Sequence, residues 1–259
     1  AIGKLSVDFG EKIIDVCDEI ITGKFNDQFP LSVWQTGSGT QTNMNLNEVI
    51  ANKANQMLGK ELGTYNPIHP NDHCNLGQSS NDSFPTAIHI AVVIQTNERL
   101  IPAIQNLHNA IEKKRKQFQD VIRIGRTHMQ DATPLTVGQE LSGFSSQIQN
   151  SLKRIEISLN EVYFLAQGGT AVGTGLNTSK KFISGFIEAT KMITGYNFKE
   201  SSNKFEALSS HEPLLNFSGA INTLLTTCYK LSNDLRLLAS GPRSGIGEII
   251  LPSYAHGCS

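Results

Sequence analysis

From Leu214 the apolar residues recur as Leu214, Phe217, Ile221, Leu224, Cys228, Leu231, Leu235 and Leu238, alternating steps of three and four. Such a seam covers one stripe of a helix, and the stripe needs a partner to bury it. A second series runs Val137, Leu141, Phe144, Ile148, Leu152, Ile155, Leu159 and Val162 in the same steps. After Pro85 come Ile90, Ile94, Ile101, Ile104, Leu107 and Ile111, with Pro102 as a kink or break. Shorter helical patterns lie near 4–22, 44–58 and 179–194. At ~1.5 Å per residue the long segments span about 40 Å, which suits a bundle of nearly parallel helices. Strand signals are poor: no extended period-2 run appears, and no hairpin turn sits between alternating segments. The predicted fold is all-α, a long-helix bundle.

Composition narrows the function classes. The 259 residues carry 22 Lys+Arg against 23 Asp+Glu, so the basic excess of a nucleic-acid binder is missing. The one dense basic run, Lys113-Lys114-Arg115-Lys116, sits late in a helical stretch and reads as a solvated face or helix-end charge. No apolar run approaches the ~20 residues that cross a membrane. Cys17, Cys74, Cys228 and Cys258 are far apart, which excludes a small disulfide scaffold and gives no zinc or iron–sulfur spacing. They read as thiols of a reducing compartment. His69 and His73 are separated by Pro70-Asn71, so they do not share a helix face for a metal.

Between the helices lie polar, glycine-rich segments: 37–43, 69–72, 78–82, 125–131, 168–177 and 241–248. Ser38, Thr40 and Asn43 precede a helix near Met44, and Ser79, Ser80, Asn81 and Asp82 precede another with Pro85 in its first turn. Helix N-termini carry unpaired N–H groups and partial positive charge, so added hydroxyl and amide donors make a carboxylate or phosphate cradle. Plain N-capping is the competing reading. Gly168 through Gly175 matches neither the dinucleotide fingerprint nor the Lys-containing phosphate loop, and reads as a tight turn shaping a pocket. His128, in Gly125-Arg126-Thr127-His128, has polar neighbours and an intrinsic pKa suited to proton transfer near neutrality. No nucleophile elbow supports a serine hydrolase.

Together these segments resemble the class II fumarase branch of the fumarase/aspartase superfamily. The resemblance covers the chain up to about Pro252 and rests on residues 34–40, 69–82, 125–134 and 168–177 and on Asn203-Lys204-Phe205-Glu206-Ala207-Leu208. It implies reversible anti hydration of fumarate to (S)-malate, with no metal and no organic cofactor. It also implies a homotetramer with each active site built from three subunits, in the cytoplasm or, in a eukaryote, the mitochondrial matrix. No nucleic-acid or membrane partner is implied. Carried over by position, Ser38, Gly39, Thr40, Ser79, Ser80, Asn81 and Thr127 bind the dicarboxylate and His128 is the acid–base residue. His69, Pro70, Asn71 and Asp72 match the family's second dicarboxylate site. An aspartase-like ammonia-lyase is the rival, but aspartases resemble this chain with Gln at the position of His128, and glutamine cannot donate a proton to departing water.

The pattern breaks at the end. The family's signature loop begins Gly-Ser-Ser and continues to a Met-Pro, a Lys and an Asn, whereas this chain closes on Gly257-Cys258-Ser259. Cys258 thus falls where the catalytic Ser is expected, and Ser259 takes the next, substrate-binding place. The chain reads as incomplete at both ends: residues 1–80 as part of an N-terminal helical domain, 81–259 as part of a central bundle domain. A fragment, a truncated product with drifted last residues, and a genuine Ser-to-Cys replacement remain open. The resemblance thus implies a fumarate hydratase by family, with the 259 residues by themselves expected to be inactive; the non-enzymatic alternative is a helical remnant that binds dicarboxylates without turnover.

Overall fold

A computed structural model describes residues 3–252. In chain order these form α1 (Val7–Ile21), α2 (Thr40–Met57), α3 (Ser80–Gln95), α4 (Ile101–Gln117), β1 (Ile122–Thr127), β2 (Gln130–Thr136), α5 (Val137–Val162), β3 (Phe164–Leu165), α6 (Lys180–Thr194), β4 (Lys199–Glu200), α7 (Lys204–Ser209) and α8 (Glu212–Leu238). The helical expectation holds. The chain divides into two compact units: Ala1–Ile94 with Glu161–Glu212, and Gln95–Asn160 with Pro213–Ser259.

In the first unit, Ser6 starts α1 by accepting a hydrogen bond from the Phe9 N–H at 3.3 Å. α1 then packs on α2 around Val16, Ile50, Ala51, Ala54 and Ile68. The small side chains of Ala51 and Ala54 let the two helices approach closely. Asn55 is fully buried and grips Ile68, in a bend, from both sides. Its amide donates to the Ile68 carbonyl at 2.8 Å and its carbonyl accepts the Ile68 N–H at 2.9 Å. A single π turn, Pro70–Cys74, follows and feeds the chain toward α3. α6 is capped by Ser179 at its start and by Gly195, at φ 74°, at its end. β3 and β4 form a short parallel pair.

In the second unit the apolar seams bury one stripe each. α5 buries Phe144, Ile148, Ile155 and Leu159, and α8 buries Phe217, Leu224 and Leu231; Val162, at the end of α5, is buried in the first unit. Pro102 falls in the first turn of α4, where its missing N–H costs nothing, and the break before it is a π turn at Thr96–Leu100. Pro85, expected in a first turn, is instead in the second turn of α3, because that helix begins at Ser80.

One expectation fails. β1 and β2 form an antiparallel hairpin over residues 122–136 where no hairpin was expected. Apolar alternation in the two strands is confined to Ile122-Arg123-Ile124, too brief to stand out. Their two-residue turn is His128-Met129, both with positive φ (52° and 65°), a conformation that hairpins normally fill with Asn-Gly.

The Asn55 clamp carries a prediction. Asn55→Ala leaves both backbone groups of Ile68 buried without partners, at roughly 1–3 kcal/mol each. A loss of about 2–4 kcal/mol in chemical denaturation is expected, against under ~0.5 kcal/mol for exposed Gln56→Ala.

Candidate active site

The polar loops of the first unit converge on one carboxylate. Asp82, fully buried in the first turn of α3, accepts N–H bonds from Ser79 (2.9 Å), Gly168 (3.0 Å) and Thr170 (2.8 Å). The Ser83 hydroxyl adds a fourth at 3.3 Å. Burial pushes the Asp82 pKa above the ordinary carboxylate value, while these four hydrogen bonds pull it back. Lys204 grips the same loop from the opposite polarity: its ammonium donates to the carbonyls of Leu165 (3.1 Å) and Gln167 (2.8 Å). The glycine-rich segment is therefore held at its carbonyls by a cation and at its N–H groups by an anion. Thr170 is held this way at φ 55°, a strained conformation for a β-branched residue.

The turn that Asp82 fixes presents the serines. The Ser79 hydroxyl accepts from the Asn81 N–H at 3.2 Å, and the Asn81 amide donates to the Ala171 carbonyl at 2.7 Å. Behind them Asn43 donates to the Ser80 hydroxyl (2.9 Å) and to the Asn75 side chain (3.2 Å), which Asn47 also reaches. Ser79 and Ser80 border a cleft of about 600 Å³, together with Asn71, Asp72, Asn177 and Lys4. Hydroxyls, amides, one ammonium and the N-terminus of α3 make this a donor-rich wall, suited to a small carboxylate.

The expected residues distribute as follows. Asn71 and Asp72 line the same cleft as Ser79 and Ser80, so two segments expected in separate sites meet on one wall. His69 and Pro70 form the turn behind them. The His69 Nδ1 accepts the N–H groups of Asn71 and Asp72 at 3.2 Å each. The Asp72 carboxylate lies 3.7 Å from that same atom. Ser38 and Thr40 are exposed and bonded to each other at 3.3 Å. Gly39 between them starts α2 at φ 68°, and a Cβ there would lie 2.0 Å from the Phe84 ring. Only glycine lets this loop sit so close to α3. Thr127 and His128 belong to the second unit, at the exposed tip of the β1–β2 hairpin. Cys258 and Ser259 lie outside the described residues. Among the described residues no group of three or more His, Cys, Asp or Glu could hold a metal.

Sequence reasoning placed Asn43 and Asp82 only among the cradle or capping residues at two helix starts and gave Lys204 and Asn75 no role of their own. Their work is tertiary, linking segments up to 88 residues apart, and the available signal was only polarity beside a predicted helix start.

Comparison with known proteins places the chain in a family. The family model described as Lyase matches residues 2–259. Over all 259 residues the chain is 56% identical to the class II fumarate hydratase of Brucella suis biovar 1, covering 56% of that protein. It is 54% identical to the mitochondrial fumarate hydratase of Rhizopus oryzae over 96% of this chain and 51% of that one. The crystal structure of recombinant class II fumarase from Schistosoma mansoni superposes with a TM-score of 0.95 at 44% identity, over all of this chain and 57% of that one. The chain thus spans about half the length of the curated relatives it matches.

Asp82→Asn tests the anchor. The amide keeps the size but turns one acceptor into a donor facing backbone N–H groups, at an expected cost of about 2–4 kcal/mol. Because the folded pKa of Asp82 is raised, the folded protein binds this proton more tightly than the unfolded chain. Its contribution to stability therefore falls as pH rises from about 4 toward the folded pKa. Denaturation across that range should show the slope in the parent and lose it in the variant.

Proposed function

We propose, starting from the chain's membership of the Lyase family, that the protein interconverts fumarate and (S)-malate by reversible addition of water. The observation that carries this reading is the Asp82-anchored start of α3. It presents Ser79 and Ser80 on a donor-rich cleft, in a chain 56% identical to a relative named class II fumarate hydratase.

The chemistry asks for such donors. In the dehydrating direction a base removes a weakly acidic proton beside a carboxylate, and negative charge grows on that carboxylate. Groups fixed before the reaction and aimed at that charge stabilise it without reorganising. Ser79, Ser80 and Asn81 at the N-terminus of α3 fill this role, Ser38, Gly39 and Thr40 add to it, and Thr127 and His128 join them from another subunit of the proposed assembly. A rigid anchor matters because a donor displaced by an ångström loses much of its effect. His128 passes a proton to the departing hydroxide and receives it back on hydration. Asn71 and Asp72, with His69 and Pro70 behind them, offer a second place for a dicarboxylate on the same wall.

The assembly proposed is a homotetramer. Ile157 on α5 and Leu215, Leu225 and Tyr229 on α8 stay more than half exposed, an apolar surface that a bundle of subunits would cover. No helix among the described residues is long and apolar enough to cross a membrane. A cytoplasmic or mitochondrial-matrix location is consistent with that.

Decay of fumarate absorbance measures the reaction. His128→Asn should lower kcat by about 10²–10⁴-fold and move KM little. Turnover unchanged by this substitution contradicts the role given to His128.

A further inference from the structure

The segment Gly241-Pro242-Arg243-Ser244-Gly245-Ile246-Gly247-Glu248 has so far no function. In the structure it coils back on the end of α8. The Ile246 N–H donates to the Ser240 hydroxyl at 3.1 Å, and the Glu248 N–H donates to the Leu238 carbonyl at 2.8 Å. A Cβ on Gly245 would lie 2.4 Å from the Ser240 hydroxyl oxygen, so glycine is required for the coil to close. Its product is the placement of one side chain, Glu248.

Glu248 meets the hairpin. One carboxylate oxygen pairs with Arg126 and the other lies 3.1 Å from Arg123, whose guanidinium also pairs with Glu140 at the start of α5. Residues three apart on a flat strand point to opposite faces. Here the register slips between Ile124 and Arg126, with Ala132 and Thr133 together facing Gly125. A Cβ on Gly125 would lie 2.5 Å from the Thr133 carbonyl oxygen. Such a bulge bends and twists the ladder locally, and both arginines converge on one carboxylate. Another guanidinium nitrogen of Arg126 is buried without a partner, so Arg126 depends on Glu248 for its hold. The ion pairs keep Glu248 ionised below the usual carboxylate range.

The hairpin needs such a hold. His128 and Met129 both sit in the left-handed region, which is unfavourable for residues other than glycine. Strained turns persist only where their surroundings over-determine them. We infer that Glu248 is a positioning residue: through Arg123 and Arg126 it locks the bulged hairpin so that the strained turn presents His128 in one orientation. The functional weight of this latch rests on the reading of His128 as the proton-transfer residue. The latch itself does not.

Amide hydrogen exchange over residues 126–131 tests it. Glu248→Gln should speed exchange there on the order of tenfold, while the Asp82-held amides of Gly168 and Thr170 stay unchanged. Adding Met129→Gly, which accepts a positive φ without strain, should restore protection. A structural role elsewhere would not be rescued by relaxing the turn. Unchanged protection in Glu248→Gln, or a loss that Met129→Gly does not restore, overturns the inference. If Glu248→Gln alone loses its helical circular-dichroism signal, the double variant decides: folded and protected supports the latch, unfolded overturns it. Loss of protection in Glu248→Gln together with full turnover in His128→Asn would keep the latch and remove the role of His128.

Discussion

A wholly buried carboxylate organises the first unit. Asp82 gathers N–H groups from the turn at Ser79 and from the loop at Gly168 and Thr170, segments that share no helix and no sheet. Removing a carboxylate from water costs several kcal/mol, and such burial persists only when hydrogen bonds fill its acceptor sites. Four donors do that here, with Lys204 near enough to favour the charge. The start of α3 and the glycine-rich loop then move as one piece, and the serines of the cleft inherit its rigidity. Without this contact Asn81 would lose its reach to Ala171 and the cleft one of its walls.

Strain and its compensation recur at both places where chemistry is expected. Thr170 adopts a positive φ beside the cleft, and its N–H is held by Asp82. His128 and Met129 adopt positive φ at the hairpin tip, and the strands below are tied through arginines to Glu248. In each case a carboxylate supplied from elsewhere in the chain offsets the cost of an awkward backbone. The glycines do the complementary work: Gly39 and Gly125 sit where a Cβ would strike a ring or a carbonyl. The long helices supply a stiff frame, and the strained turns are the exceptions that frame can carry.

Much of the frame was legible in the sequence. The seams of α5 and α8, the shorter helices near 4–22, 44–58 and 179–194, and the break before Pro102 followed from apolar spacing. The hairpin did not, because its apolar alternation stops after Ile122-Arg123-Ile124 and its turn chemistry is missing: His-Met stands where Asn-Gly would have announced it. The bulge at Gly125 was equally silent, being a property of paired strands. The donor-rich loops were visible as candidate cradles, yet capping and ligand binding use the same residue types. What holds these loops together, Asp82 with Gly168 and Thr170, is a tertiary pairing that no local window contains. Resemblance supplied what spacing could not, naming His128 and the serines, while Cys258 and Ser259 lie beyond the described residues.

On the proposed reading, the Asp82-held wall receives a dicarboxylate. Titrating the isotope-labelled protein with fumarate, and following the backbone amides of Ser79, Ser80, Asn81, Asn71 and Thr170, tests this most directly. The account expects saturable shifts at these amides that disappear when Asp82 is replaced by alanine in a variant still helical by circular dichroism. Shifts confined to other parts of the chain, or identical shifts after that replacement, would contradict it.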